Sequence, residues 1–142
     1  IFDQGIGEIF SVRIAGNFVN QDILGSMEFA CKLAGTKLIV VLGHTSCGAV
    51  KGACDNAELG NLTSMLAKIK PAVNAIKEPA DVSLRNSSNI EFVNNVAEKN
   101  VNLTIQKILE DSSVLAEMHE NGEIDIIGGM YDIKTGAVTF YE

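Results

Sequence analysis

The 142-residue sequence contains few cysteines, few prolines, no tryptophan and no long hydrophobic run. Three cysteines, an odd number, do not form the framework of a disulfide-stabilised domain, so a reducing, cytoplasmic-type compartment is the simpler interpretation. Basic residues are also scarce. The 11 lysines and arginines against 18 acidic residues give a net charge of −7, which argues against nucleic acid or an anionic membrane as a partner. No apolar run approaches the roughly 20 residues of a membrane span, and no amino-terminal signal pattern is present.

The residues that are present describe an ordinary globular domain. Hydrophobic residues make up 46% of the chain and charged residues 20%. The length predicts a single domain over residues 1–142 with a hydrophobic core. Because the chain starts at Ile1 rather than at methionine, we expect this domain to be incomplete at its amino terminus.

The first third of the chain predicts a strand, a helix and a second strand. Residues 9–15 read as a strand, and residues 22–35 as a helix that Asp22 caps and Gly35 ends. Residues 37–42 are almost continuously apolar and β-branched, which is typical of a strand covered on both faces in a parallel sheet. Together these elements predict a right-handed βαβ unit.

The rest of the chain predicts mainly helices and a terminal hairpin. Its elements are helices over 46–57 and over 62–76 with a kink at Pro71, a loop over 77–88, two helices within 89–120 divided at 111–113 by a cap at Ser112 or Ser113, and strands over 124–131 and 137–141. The predicted fold class is therefore α/β, with a central, mostly parallel sheet flanked by helices and a C-terminal hairpin.

The segment from Gly43 to Gly48 is the strongest candidate for chemistry. It follows the most buried predicted strand, where ligands bind in open α/β sheets. His44 and Cys47 stand three residues apart, and imidazole nitrogen with thiolate sulfur suits Zn²⁺. Spacing alone leaves two alternatives open: Cys47 as a core residue, or Cys47 as a nucleophile with His44 as its base, although that arrangement lacks a third orienting group. The glycines match no phosphate-binding motif.

Five segments in order resemble the β-class carbonic anhydrases. They are residues 7–17, 25–30 and 39–50, the helical stretch 100–115, and the hairpin residues 129–132. The resemblance covers nearly the whole chain. It implies reversible hydration of carbon dioxide to bicarbonate by a zinc-bound hydroxide, and a homodimer or a higher even-numbered homo-oligomer.

The resemblance also assigns site residues. His44 and Cys47 match two zinc ligands, and four residues match positions that line the substrate pocket: Phe10, Ala15, Phe29 and Gly48. Ordinary core packing is an equal interpretation of the two phenylalanines, and Phe29 is expected to serve a partner subunit. The third zinc ligand and a gating Asp and Arg belong to a Cys-x-Asp-Ser-Arg motif that the resemblance places upstream of Phe2, so we expect no catalytic residue in this chain.

Two ligands do not make a zinc site, so three explanations compete. An upstream segment is present but not ordered, or it was removed, or the protein naturally lacks it and is inactive. Two other functions also remain open: hydrolysis of carbonyl sulfide or carbon disulfide, and a metal-free, dimeric binding or scaffold module.

Overall fold

The sheet has three strands in the order β1-β2-β3, in a computed structural model that describes residues 1–141. Strand β1 (Leu38–His44) runs parallel to β2 (Asp125–Tyr131), with Leu38 opposite Asp125 and His44 opposite Tyr131. Strand β3 (Val138–Phe140) pairs antiparallel with β2 as the predicted hairpin. The predicted α/β class and the terminal hairpin are confirmed.

Helices flank this sheet. They are α1 (Gln21–Glu28), a π-helical turn (Phe29–Leu33), α2 (Gly48–Cys54), α3 (Gly60–Ala67), α4 (Lys70–Ala75), a 3₁₀ turn (Val82–Leu84), α5 (Ile90–Asp111) and α6 (Ser113–Glu120). Among the described residues, no helix combines the length and apolarity needed to cross a membrane.

The predicted division of the long helical stretch is confirmed. Ser112 separates α5 from α6, and its hydroxyl oxygen accepts a hydrogen bond from the amide of Leu115, 3.1 Å away. The predicted kink at Pro71 is wrong. Pro71 lies in the first turn of a separate helix, α4, where the missing N–H has no intrahelical partner to lose.

The predicted strand over 9–15 is wrong, and so is the βαβ unit built on it. Residues 9–14 pair with no strand in the described part of the chain, and β1 pairs only with β2. A strand needs a neighbour for its backbone hydrogen bonds, and alternating apolar residues do not provide one. Ile9 and Phe10 are consequently about half exposed, at 50% and 48%.

The first helix begins earlier than predicted. Asn20, not Asp22, is its N-cap, because the Asn20 side-chain oxygen accepts from the amide of Ile23 at 2.9 Å. After Glu28 the helix widens into the π-helical turn, which buries Cys31. Cys31 is 2% exposed and belongs to the core.

Helix α5 lies directly on the sheet because two strand positions have no side chain. A Cβ at Gly43 of β1 would lie 2.8 Å from Val101 Cγ2, and a Cβ at Gly128 of β2 would lie 2.9 Å from Val101 Cγ1. Real Cβ atoms do not come so close, so this packing requires glycine at both positions. Val101 is fully buried in the core formed by α1, β1, α5 and α6.

A single guanidinium group organises the loop between α4 and α5. Arg85 donates to the carbonyl oxygens of Val73 (3.1 Å) and Ile76 (2.8 Å) and to that of Pro79 (3.2 Å). Its guanidinium carbon also lies 4.8 Å from the ring centroid of Phe92. Arg85 therefore caps the end of α4 and closes the loop onto the core.

We predict that Arg85→Lys lowers the free energy of unfolding by about 1–3 kcal/mol, because an ammonium group cannot reach three carbonyls and stack on Phe92 at once. Urea denaturation measures the effect. Arg13→Lys is the matched control, since Arg13 is exposed. Equal stability of the two variants would contradict this role of Arg85.

Candidate functional site

His44 and Cys47 lie at the carboxyl end of β1. His44 is the last residue of the strand and is exposed, whereas Cys47 is half-buried and immediately precedes α2. Both line one cavity of about 500 Å³. The structure thus brings the two predicted ligands to a shared space at the sheet edge where α/β proteins bind ligands.

The two residues between them are tied to the rest of the fold. The amide of Thr45 donates to the carbonyl of Tyr131 at 3.0 Å, and the Thr45 hydroxyl accepts from the amide of Ile133 at 3.1 Å. The amide of Ser46, which has a φ of 55°, donates to Asn94 Oδ1 at 2.9 Å. The end of β2 and helix α5 therefore fix the turn that separates His44 from Cys47.

Local hydrogen bonding leaves one imidazole nitrogen of His44 free for a ligand. Nδ1 lies 2.9 Å from the Thr45 carbonyl oxygen. A carbonyl can only accept, so Nδ1 carries the proton and Nε2 of the neutral ring has a free lone pair. A histidine held in one tautomer by a backbone carbonyl is the usual form of a metal ligand.

Of the three cysteines, Cys47 is the one that borders this cavity. Cys31 and Cys54 are buried. Burial raises the pKa of the Cys54 thiol to about 11, assisted by the nearby Asp55, and burial also raises the pKa of Cys31. Cys47 is therefore the candidate cysteine ligand, because neither buried thiol lines the cavity of His44.

The donor set matches zinc in kind but not in number. A histidine nitrogen and a cysteine sulfur are both zinc ligands, and zinc needs at least three protein donors. Residues 1–141 contain no group of three or more histidine, cysteine or acidic side chains placed to hold a metal ion. The described residues alone therefore do not complete a zinc site.

The predicted pocket residues fall into two groups. Ala15 and Gly48 line the cavity of His44 and Cys47. Phe10 and Phe29 do not, because they pair with each other, 6.2 Å between ring centroids, beside a separate open groove along α1. Within one chain, the two phenylalanines are not brought to the candidate ligands.

The sequence analysis missed three polar side chains of α5. Asn94 holds the 45–46 turn, and Asn100 and Thr104 hold the opposite wall of the cavity. A signal for the last two exists in the sequence. Both stand close to buried apolar positions of α5, where a polar side chain needs a specific partner.

We predict that Gly43→Ala lowers the free energy of unfolding by about 1–3 kcal/mol. The added methyl group would lie 2.7 Å from Met130 Sδ and 2.8 Å from Val101 Cγ2, so α5 would be pushed from the sheet beside His44. Gly48→Ala is the matched control, because a Cβ there meets nothing within 4 Å. Chemical denaturation compares the two, and an equal loss in both variants would refute the steric explanation.

The comparisons with known proteins agree on one family. A family model described as carbonic anhydrase matches residues 1–138. Carbonic anhydrase 2 of Mycobacterium tuberculosis is 33% identical over 136 residues, which cover 96% of this chain and 64% of that protein. The chain thus spans less than two thirds of the length of this relative.

Solved structures agree with this assignment. The β-carbonic anhydrase CafA of Aspergillus fumigatus superposes with a TM-score of 0.81 at 28% identity, covering 96% of this chain and 65% of that one. One of two tetrameric β-carbonic anhydrases of Sordaria macrospora shares the fold, with a TM-score of 0.71 at 23% identity and coverage of 89% and 64%. The chain belongs to the carbonic anhydrase family, in its β class.

Proposed function

We propose that the protein hydrates carbon dioxide reversibly to bicarbonate with the help of a zinc ion bound by His44 and Cys47. The observation that carries this proposal is that a free imidazole nitrogen and a cysteine border one cavity at the end of β1, in a chain of this family. When bound, zinc lowers the pKa of water toward neutrality and so supplies a nucleophile for carbon dioxide.

This proposal places a third protein donor to the zinc ion beside the unpaired edge of β1. The unpaired edge of β1 and the unpaired segment 9–15 border two common cavities, the first lined by Phe10, Val12 and Ile14 and by Leu38 to Val41. The second cavity continues to His44. A further strand in this gap would satisfy both backbones and would end beside His44 and Cys47. We therefore infer that the third donor comes from outside residues 1–141, on such a strand.

The chain's own residues suit a small nonpolar substrate. Val12, Ile14, Ala15, Val50 and Ala97 contribute apolar side chains to the cavity. These groups offer carbon dioxide an apolar surface, beside the polar side chains of Arg13, Asn17 and Asn100 in the same lining. The Thr45 carbonyl keeps the Nδ1 proton of His44 in place, so Nε2 stays directed to a ligand.

We predict that His44→Ala and Cys47→Ser each lower the zinc content of the whole protein at least about tenfold and carbon dioxide hydration at least about a hundredfold. His119→Ala and Cys31→Ala are the matched controls, because His119 lies on α6 and Cys31 in the core, both away from the cavity. Metal analysis and stopped-flow hydration are the measurements.

Other results would identify a different function. About one equivalent of zinc without hydration would favour hydrolysis of carbonyl sulfide or carbon disulfide. A protein that binds no zinc at all would favour a metal-free binding module.

We also propose that the protein forms a homodimer or a higher even-numbered homo-oligomer. Phe10 and Phe29 form an exposed aromatic pair, with 48% and 52% of their surface accessible. Paired apolar rings of this size favour contact with another surface. The tetrameric Sordaria macrospora enzymes support an even-numbered assembly.

We predict that Phe29→Asp halves the mass of the assembly measured by sedimentation, because a carboxylate would be buried without a partner in the interface. Leu59→Asp is the matched control, since Leu59 is 71% exposed and lies beside α3, away from this pair. An unchanged mass for Phe29→Asp would place the interface elsewhere.

We also propose that the protein works in a reducing, cytoplasmic-type compartment. All three cysteines are free, and a cysteine that binds zinc must stay reduced.

A further inference from the structure

The turn at Gly16 and Asn17 is part of the cavity wall that faces His44 and Cys47. Its carbonyl groups accept three hydrogen bonds from side chains of α5. Asn100 Nδ2 lies 2.8 Å from the Gly16 oxygen and 3.2 Å from the Asn17 oxygen, and Thr104 Oγ1 lies 3.0 Å from the Asn17 oxygen. Both donors are buried, with Asn100 5% and Thr104 6% exposed.

The backbone of the turn needs this support. Gly16 and Asn17 have φ values of 90° and 49°, in the left-handed region. At Gly16 a Cβ would lie 2.7 Å from Cδ1 of the fully buried Ile69, so the turn is also pressed against the core. Two hydrogen-bonding side chains on one side and a packed isoleucine on the other leave the turn little freedom.

The rest of the wall depends on the turn. Segment 9–15 pairs with no strand among residues 1–141. The amide of Asn17 donates to the carbonyl of Ile14 at 3.2 Å, which links the segment to the turn. Val12 to Ala15 line the cavity nevertheless. Among the described residues, the hydrogen bonds from α5 to the turn are what fix the end of this segment.

We propose that Asn100 and Thr104 are positioning residues that hold the wall of the His44–Cys47 cavity through the carbonyl groups of Gly16 and Asn17. Thr104 does not line that cavity, and its hydrogen bond to the Asn17 carbonyl is the polar contact that links it to the wall. The expected effect on turnover rests on the proposed function, whereas the effect on the wall does not.

Two pairs of variants test the proposal. Thr104→Val removes the hydroxyl at nearly constant shape, and Thr104→Ser restores it. Asn100→Asp replaces the donating amide with a carboxylate that cannot donate, and Asn102→Asp makes the same change at an exposed position of α5.

Three measurements are made on each variant. They are amide hydrogen exchange of residues 12–19, the rate at which iodoacetamide alkylates Cys47 after chelation, and kcat/KM for carbon dioxide together with zinc content. The buried Cys31 and Cys54 are internal references for alkylation.

In Thr104→Val and Asn100→Asp we expect exchange about fivefold faster, faster alkylation of Cys47 and a lower kcat/KM at unchanged zinc content. Thr104→Ser and Asn102→Asp should behave as the unsubstituted protein.

Two outcomes overturn the proposal. One is equal exchange of residues 12–19 in the Val and Ser variants. The other is faster exchange without any change in Cys47 alkylation or kcat/KM. If the unsubstituted protein hydrates no carbon dioxide, the proposed function fails by itself, and exchange and alkylation still decide the role of Asn100 and Thr104.

Discussion

The close packing of Val101 on two glycines is the constraint on which the candidate site depends. With no side chain at Gly43 or Gly128, α5 lies directly on β1 and β2. This contact sets the height of the helix above the carboxyl end of the sheet. Each hydrogen bond between α5 and the site forms only when the helix lies at this distance from the sheet, because a hydrogen bond allows a narrow range of donor–acceptor distances.

Helix α5 then serves both sides of the cavity. Toward its amino-terminal end, Asn94 binds the amide of Ser46 in the turn between the candidate ligands. Further along, Asn100 and Thr104 bind the carbonyls of the opposite wall. One rigid element of 22 residues thus sets the relative position of two segments that do not pair with each other. The geometry of the site is therefore fixed where α5 contacts it, whereas the site is open along the unpaired edge of β1.

The parts of the fold that the sequence predicted are those with local signals. The apolar run of β1, the Ser112 cap between α5 and α6, and the terminal hairpin each follow from neighbouring residues. Segment 9–15 has the composition of a strand, but strand formation depends on a distant partner that the sequence of the segment does not reveal. The prediction of Asp22 as the helix cap failed for a simpler reason, since Asn20 stands two positions earlier and its residue type also caps helices.

The same distinction applies to the site. His44 and Cys47 could be predicted because a buried strand precedes them, and the family resemblance gave Ala15 and Gly48, which line the same cavity. Phe10 and Phe29 were expected in the same pocket, but in the structure they pair with each other beside a separate groove. Asn100 and Thr104 were missed because a helix pattern shows which face is buried, but not which backbone that face will meet.

X-ray absorption at the zinc edge of the whole, zinc-loaded protein decides whether His44 and Cys47 bind zinc, because it reports the atoms bound to the ion. We predict a shell with sulfur at about 2.3 Å and imidazole nitrogen at about 2.0 Å, of which Cys47→Ser loses part of the sulfur and His44→Ala loses the nitrogen. A zinc shell that is the same in the unsubstituted protein and in both variants would contradict it.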